Sequence, residues 1–162
     1  MKATSASQTI SVEHIRISSE RSFADVRQRL EATLPKLEAG IADALRSGDH
    51  NRATEFDEKG PKLSIFEQRD HGSLLQIFGG RRNALQYEIG NPLTSSKMNR
   101  YKLPAVLYTP LRVVLFEDER GKAVFEYDKP SSVLGQFGDE RVTQVGRYLD
   151  AELESALRKA AD

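Results

Sequence analysis

The chain has no cysteine. That absence removes disulfide staples, thiol catalysis and thiolate-ligated zinc or iron–sulfur centres together, and it leaves the redox compartment unconstrained. Histidine is scarce: His14, His50 and His71 are scattered rather than set at ligand spacing. The expectation is therefore no metal and no cofactor. An excess of either charge is also missing, since 24 lysines and arginines balance 24 aspartates and glutamates. No net field draws the protein to nucleic acid or an anionic membrane, so neither is expected as a partner. No apolar run approaches the roughly 20 residues of a spanning helix, and Met1–Gln8 lacks an apolar signal-peptide centre, which makes a cytoplasmic protein the expectation.

What is present fits one domain. At 162 residues the chain can bury a real core without staples. Positions 1–8 read as a small polar leader, about 9–138 as the core, and 139–162 as a terminal helix. A first strand is expected from Ile10 to Ile17, with a change of apolar phase between Val12 and Ile15 that suggests a bulge. Ser22-Phe23-Ala24-Asp25 opens the clearest helix, with Phe23, Val26, Leu30 and Leu34 at helical spacing. Pro35 stops it near Leu34. A second helix carries Leu37, Ile41, Ala44 and Leu45 on one face, and the charged stretch Asp49–Pro61 reads as a helical turn or surface loop.

Strands dominate the middle. Lys62–Arg69 and Asn83–Ile89 alternate apolar with polar residues, with a short helix Ser73–Phe78 and its glycine stop between them. Leu111–Glu117 and Lys122–Tyr127, joined by Asp118-Glu119-Arg120-Gly121, form a hairpin. Val142, Val145, Leu149, Leu153, Ala156 and Leu157 then stripe a terminal helix. The fold class that follows is α+β, a largely antiparallel sheet of about five strands with helices packed on one face.

Asp70-His71, Gly90-Asn91-Pro92, the run from Thr109-Pro110-Leu111 to Glu117-Asp118, and Tyr127-Asp128-Lys129-Pro130 occur in a telling order. By them, from about Ser18 to Gly138, the sequence resembles the family called domain of unknown function 302. The resemblance implies a β-α-β-β-β-β-α core similar to the TATA-binding-protein-like fold, a homodimer, and no established activity. The helix around Ile41, the charged stretch to Lys59 and the helix beyond Gly138 stand as additions to that core.

Candidate catalytic residues are His71 as acid–base group with Asp70 or Glu67, and Glu88 as another partner. A lone strand-end histidine is more often satisfied structurally, so the enzyme is the alternative reading rather than the leading one. Gly90-Asn91-Pro92 reads as a turn, with Asn91 able to anchor a ligand. Gly79-Gly80-Arg81-Arg82 reads as a helix stop with solvated charges, and Lys97, Arg100, Lys102, Tyr101 and Tyr108 as a solvated crossing segment.

If Leu63, Ile65, Leu85, Tyr87, Leu111, Val113, Leu115 and Val124 face the helices, the opposite face carries Phe66, Glu88, Arg112, Val114, Phe116, Phe125 and Tyr127. So many rings on a face that should be solvated call for cover. The leading expectation is a non-catalytic homodimeric domain binding a small, partly apolar molecule on this face or in an adjacent groove. Its contacts would be Phe66, Glu88, Asn91, Arg112, Phe116, Phe125 and Tyr127. A purely structural interaction protein is the other alternative.

Overall fold

Five strands, β1 (His14–Ser22), β2 (Ser64–Asp70), β3 (Ala84–Gly90), β4 (Leu111–Glu117) and β5 (Lys122–Asp128), form one antiparallel sheet in the order β1-β5-β4-β3-β2. This is a computed structural model, and it describes residues 2–162. Helices α1 (Phe23–Thr33), α2 (Ile41–Arg46), α3 (His50–Lys59), α4 (Pro92–Asn99), α5 (Pro130–Leu134) and α6 (Glu140–Ala161) complete it. One apolar cluster joins a single sheet face to α1, α4, α5 and α6, so the α+β class expected from the pattern is the class observed.

The best-signalled elements form for the reasons the sequence advertises. Ser22 caps α1 by accepting from the Asp25 backbone N–H at 3.2 Å, and Phe23, Val26 and Leu30 are buried. The helix ends at Leu34, the residue before Pro35. In α6 the stripe Val142, Leu149, Leu153 and Leu157 is buried. Its last carbonyls are held by Arg29, which donates to Lys159 and Ala160 at 3.1 Å each, and by Arg21, which donates to Asp162 at 2.8 Å. The β4–β5 hairpin turns on Asp118, whose side chain accepts from the Arg120 and Lys122 amides at 2.9 Å, and on Gly121 at φ 77°.

Several expectations need correction. The first strand begins at His14 rather than Ile10, because its partner β5 ends at Asp128 opposite His14; Glu13 beyond it still accepts from the Lys129 amide at 2.8 Å, but the ladder does not continue to Ile10. Its register irregularity lies between Ser18 and Ser22, not between Val12 and Ile15. Leu37 stands outside α2, which starts at Ile41. The stretch 49–61 is neither a single turn nor a loop but the ten-residue helix α3, capped by Asp49 and pinned by buried Phe56.

Gly90-Asn91-Pro92 is a helix start, not a turn. Asn91 Oδ1 accepts from the Leu93 and Thr94 amides at 3.0 and 3.1 Å, and Pro92 occupies the first helical position. The crossing segment therefore contains α4 and a 3-10 turn, Leu103–Tyr108.

The phase of β5 is inverted relative to the expectation. Phe125 pairs with Leu115 and Tyr127 with Val113, so both rings point into the core, while Val124 pairs with Phe116 on the open face. Lys122, Glu126 and Asp128 share that face with Val124, and a strand keeps one face polar by alternation. Burial pushes the Tyr127 phenol pKa up to about 12. No helix among the described residues is long and apolar enough to cross a membrane.

Candidate functional site

A half-enclosed cleft lies at the β2 edge of the sheet. Pro35 ends α1 and turns the chain outward, and residues 35–37 then run parallel to β2 for one bridge. Leu37 donates to Ile65 and Ile65 to Pro35, both at 2.8 Å. Past Ile65 the strand bulges at Phe66, and the Gln68 amide is met by the Glu67 carboxylate of its own strand at 3.3 Å. The strap and the strand part there. Between them opens a cleft of about 470 Å³ lined by Glu31, Leu34, Lys36, Leu37 and residues 65–68.

Its inner wall is polar and fixed. Tyr87 is fully buried, and its hydroxyl donates to Glu31 Oε1 at 2.9 Å, where Arg27 Nε also donates at 3.0 Å. In the amide orientation its neighbours require, Gln68 donates to the same oxygen at 3.2 Å and accepts from Arg27 Nη2 at 3.0 Å. Burial first, and the bond to Glu31 second, push the Tyr87 phenol well above its ordinary pKa, so it stays a donor at neutral pH. The Glu31 hydrogen bond likewise raises Arg27. Side chains from α1, β2 and β3 thus hold one carboxylate in place beside walls made of Leu34, Leu37 and Ile65. Such a site can seat a molecule with an apolar body and a polar end.

The sequence-based candidates are spread over other surfaces. His71 is exposed in the turn after β2, and Asp70 is engaged as an acceptor from the Ser73 amide at 2.9 Å, which lowers its pKa. Acid–base work by His71 required a closed pocket, and this exposed turn does not provide one. Glu67 and Glu88 face each other across β2 and β3, with Glu88 paired to Arg69 at 2.6 Å. Of the expected ligand contacts, only Phe66 borders the cleft, together with Glu67 from the catalytic set. Asn91 is spent on capping α4 and on Pro61 and Lys62. Phe125 and Tyr127 are core residues rather than surface rings.

Arg112, Val114 and Phe116 do lie on the open sheet face, but in charged company. His14 bonds Asp128 at 3.0 Å and Glu126 at 3.1 Å, Arg16 pairs with Glu126, and the Arg16 guanidinium lies 5.6 Å from the Phe116 ring centroid. A shallow depression of about 230 Å³ runs over Gln86, Arg112 and Val114. This face reads as an ordinary solvated one. In the crossing segment, Arg100 and Arg141 stack on Tyr101, 4.6 and 3.8 Å from its centroid, and Lys97 pairs with Asp57 at 2.7 Å. Among the described residues no three His, Asp or Glu side chains gather to hold a metal ion.

Of the polar groups at the cleft only Glu67 was a sequence candidate; Arg27, Glu31, Gln68 and Tyr87 were not expected as site residues. Arg27 and Glu31 show in the sequence as an i,i+4 pair, the only local signal. Gln68 and Tyr87 reach them through the fold alone.

The family model described as Domain of unknown function DUF302 matches residues 52–160. The chain belongs to that family. The match omits β1 and α1 and includes nearly all of α6 and most of α3, so α6 is part of the DUF302 pattern and not an addition to it. No curated protein matches the chain. Among solved structures, an uncharacterized conserved DUF302 protein from Bacillus stearothermophilus is similar, at a TM-score of 0.66 and 14% identity over 91% of this chain and 97% of that one. At that identity the likeness shows the fold alone. DUF302 membership brings no reaction, substrate or ligand with it.

Proposed function

We propose that this DUF302 protein is a non-catalytic binding domain that takes a small, partly apolar molecule in the cleft between α1, the 35–37 strap and β2. The observation that carries the reading is the Tyr87–Glu31–Arg27–Gln68 network, which fixes a carboxylate at the wall of a cleft of about 470 Å³ where Leu34, Leu37, Ile65 and Phe66 stand beside Lys36 and Glu67. Sites that set well-held polar groups beside apolar ones fix the orientation of a ligand. The same reading takes the domain as self-associating.

Native mass spectrometry of protein purified from its own host tests the ligand directly. A retained mass of a few hundred daltons, lost in Leu37→Trp protein that keeps its circular dichroism, is the expected result. Bare chain mass in the wild type, together with no melting shift that Leu37→Trp abolishes across a metabolite panel, overturns the cleft. Sedimentation equilibrium at micromolar concentration tests the self-association separately.

A further inference from the structure

The cleft has walls from both faces of one strand. Ile65 belongs to the core and Gln68 meets Arg27 and Glu31 of α1, so both side chains turn toward the helices. Glu67, one residue before Gln68, turns the other way and stands opposite Glu88, and the Phe66 ring lies beside Gly90. A space bordered by residues 65–68 together therefore lies over the outer backbone edge of β2, which is the last strand of the sheet.

The chain itself only begins to cover that edge. The strap gives β2 one parallel bridge, Lys36 opposite Ile65, and both of its hydrogen bonds end on Ile65. After the bulge at Phe66 the next outward amide is that of Gln68, where the strap has already left and the neighbouring Glu67 carboxylate stands in at 3.3 Å. Such an edge accepts an added strand, because backbone donors and acceptors pair whatever the side chains. The bulge, and the charges of Glu67, Arg69 and Asp70 along β2, blunt the edge against a second sheet and suit it to a short segment.

We propose that the cleft takes the carboxy-terminal end of an extended peptide, added antiparallel to β2 and ending in an apolar side chain. The inference rests on the cleft reading above and names its occupant. Antiparallel pairing is the more stable kind, and a segment laid that way over Asp70 and Gln68 runs back toward Ile65, so the end that abuts the strap is its carboxylate. Lys36 stands there, exposed and without an ion pair among the described residues. Leu34, Leu37 and Ile65 receive the last side chain. The Glu31 charge in the inner wall is matched by Arg27, and exposed Glu67 is free to turn away once a peptide carbonyl takes the Gln68 amide.

Short threonine–alanine peptides ending in leucine, labelled with fluorescein at the amino end and made as free acids and as amides, test this by anisotropy. The free acids are expected to bind, and amidation to weaken binding at least tenfold. Lys36→Gln should bring the free acids down to the level of the amides while leaving the amides and the urea midpoint unchanged. Methylating the peptide nitrogens one at a time should weaken binding at alternate positions only, the signature of a strand on an edge. Equal binding of acids and amides, an even effect of methylation, or binding that Leu37→Trp leaves untouched overturns the inference. Anisotropy that falls as the chain self-associates gives the edge to a second copy and overturns it too. If no peptide binds while native mass spectra still show a ligand that Leu37→Trp loses, the peptide is wrong and the cleft stands; loss of both removes the cleft itself.

Discussion

Asn91 does two jobs with one amide, and substitution can separate them. Its oxygen caps α4 through the Leu93 and Thr94 amides, while Nδ2 donates to the Pro61 and Lys62 carbonyls at 3.2 and 3.3 Å. The residue is 9% exposed, so water replaces little of what is lost. Removing the cap costs about 1 kcal/mol, within the usual 0.5–2. The two long bonds to the loop before β2 contribute roughly 0.5 kcal/mol each. Asn91→Ala should therefore cost about 2 kcal/mol, lowering the melting temperature by about 4–8 °C for a chain of this size. Asn91→Ser keeps a cap and loses the tie, for about 1 kcal/mol.

Asn91→Asp is the decisive member of the series. As a cap alone it should do well, since a carboxylate favours a helix N-terminus by about 0.3–1 kcal/mol. Here it also sets an acceptor against two carbonyl oxygens, so it should cost more than serine does. Urea unfolding, followed by circular dichroism, measures all three as midpoint changes at constant slope. Asn91→Asp protein as stable as wild type, or an alanine loss under about 0.5 kcal/mol, would refute the double role.

Other outcomes follow from single contacts. Leu115 is fully buried at the sheet centre, so Leu115→Ala should lose about 2–5 kcal/mol in the same urea assay. A Cβ on Gly146 would lie 2.9 Å from Ser131 Cα where α6 crosses α5; Gly146→Ala should destabilise by about 1 kcal/mol or more although alanine is the better helix former, and a gain in midpoint would show that the crossing yields. The bonds to Asp128, then to Glu126, raise the His14 pKa above its ordinary value. A raised histidine stabilises fully below its unfolded pKa and loses that contribution as pH rises through the folded one, so stability should fall slightly as pH rises above the ordinary histidine pKa of about 6.5. His14 is more than half exposed and the effect is screened; His14→Gln should flatten that part of the profile, and an unchanged slope assigns it to other groups.

The fold was legible where one element carried its own signal. Ser22 to Leu34 announces a capped amphipathic helix, and the α6 stripe and the 118–121 turn are as plain. Helix α3 was hidden because its buried face is little more than Phe56, so docking rather than periodicity makes it a helix. Helix α4 buries only Met98, yet Asn91-Pro92 was a readable start, an asparagine cap followed by proline at the first helical position. The β5 phase was readable too. Lys122, Glu126 and Asp128 keep one face, and placing Val124 inward overlooked the company it keeps.

The site was less legible because it is assembled by the chain's path. Arg27 and Glu31 are visible as a helical pair, but Tyr87 lies 56 residues from Glu31 in sequence, and nothing local shows its hydroxyl turning there. The exposed 3-10 turn before β3 illustrates a sharper limit. Leu74, Ile77 and Phe78 fall at helical spacing, and such spacing is ordinarily read as a face turned to the core. Spacing says only that the residues share a side. A six-residue 3-10 turn standing at the end of a strand pair is too short to lay that side back on the sheet, so it points outward at up to 86% exposure. The same apolar pattern that closes α6 onto the core is left open at this turn. Where a short element stands at a sheet end, apolar periodicity marks a shared side and not a buried one.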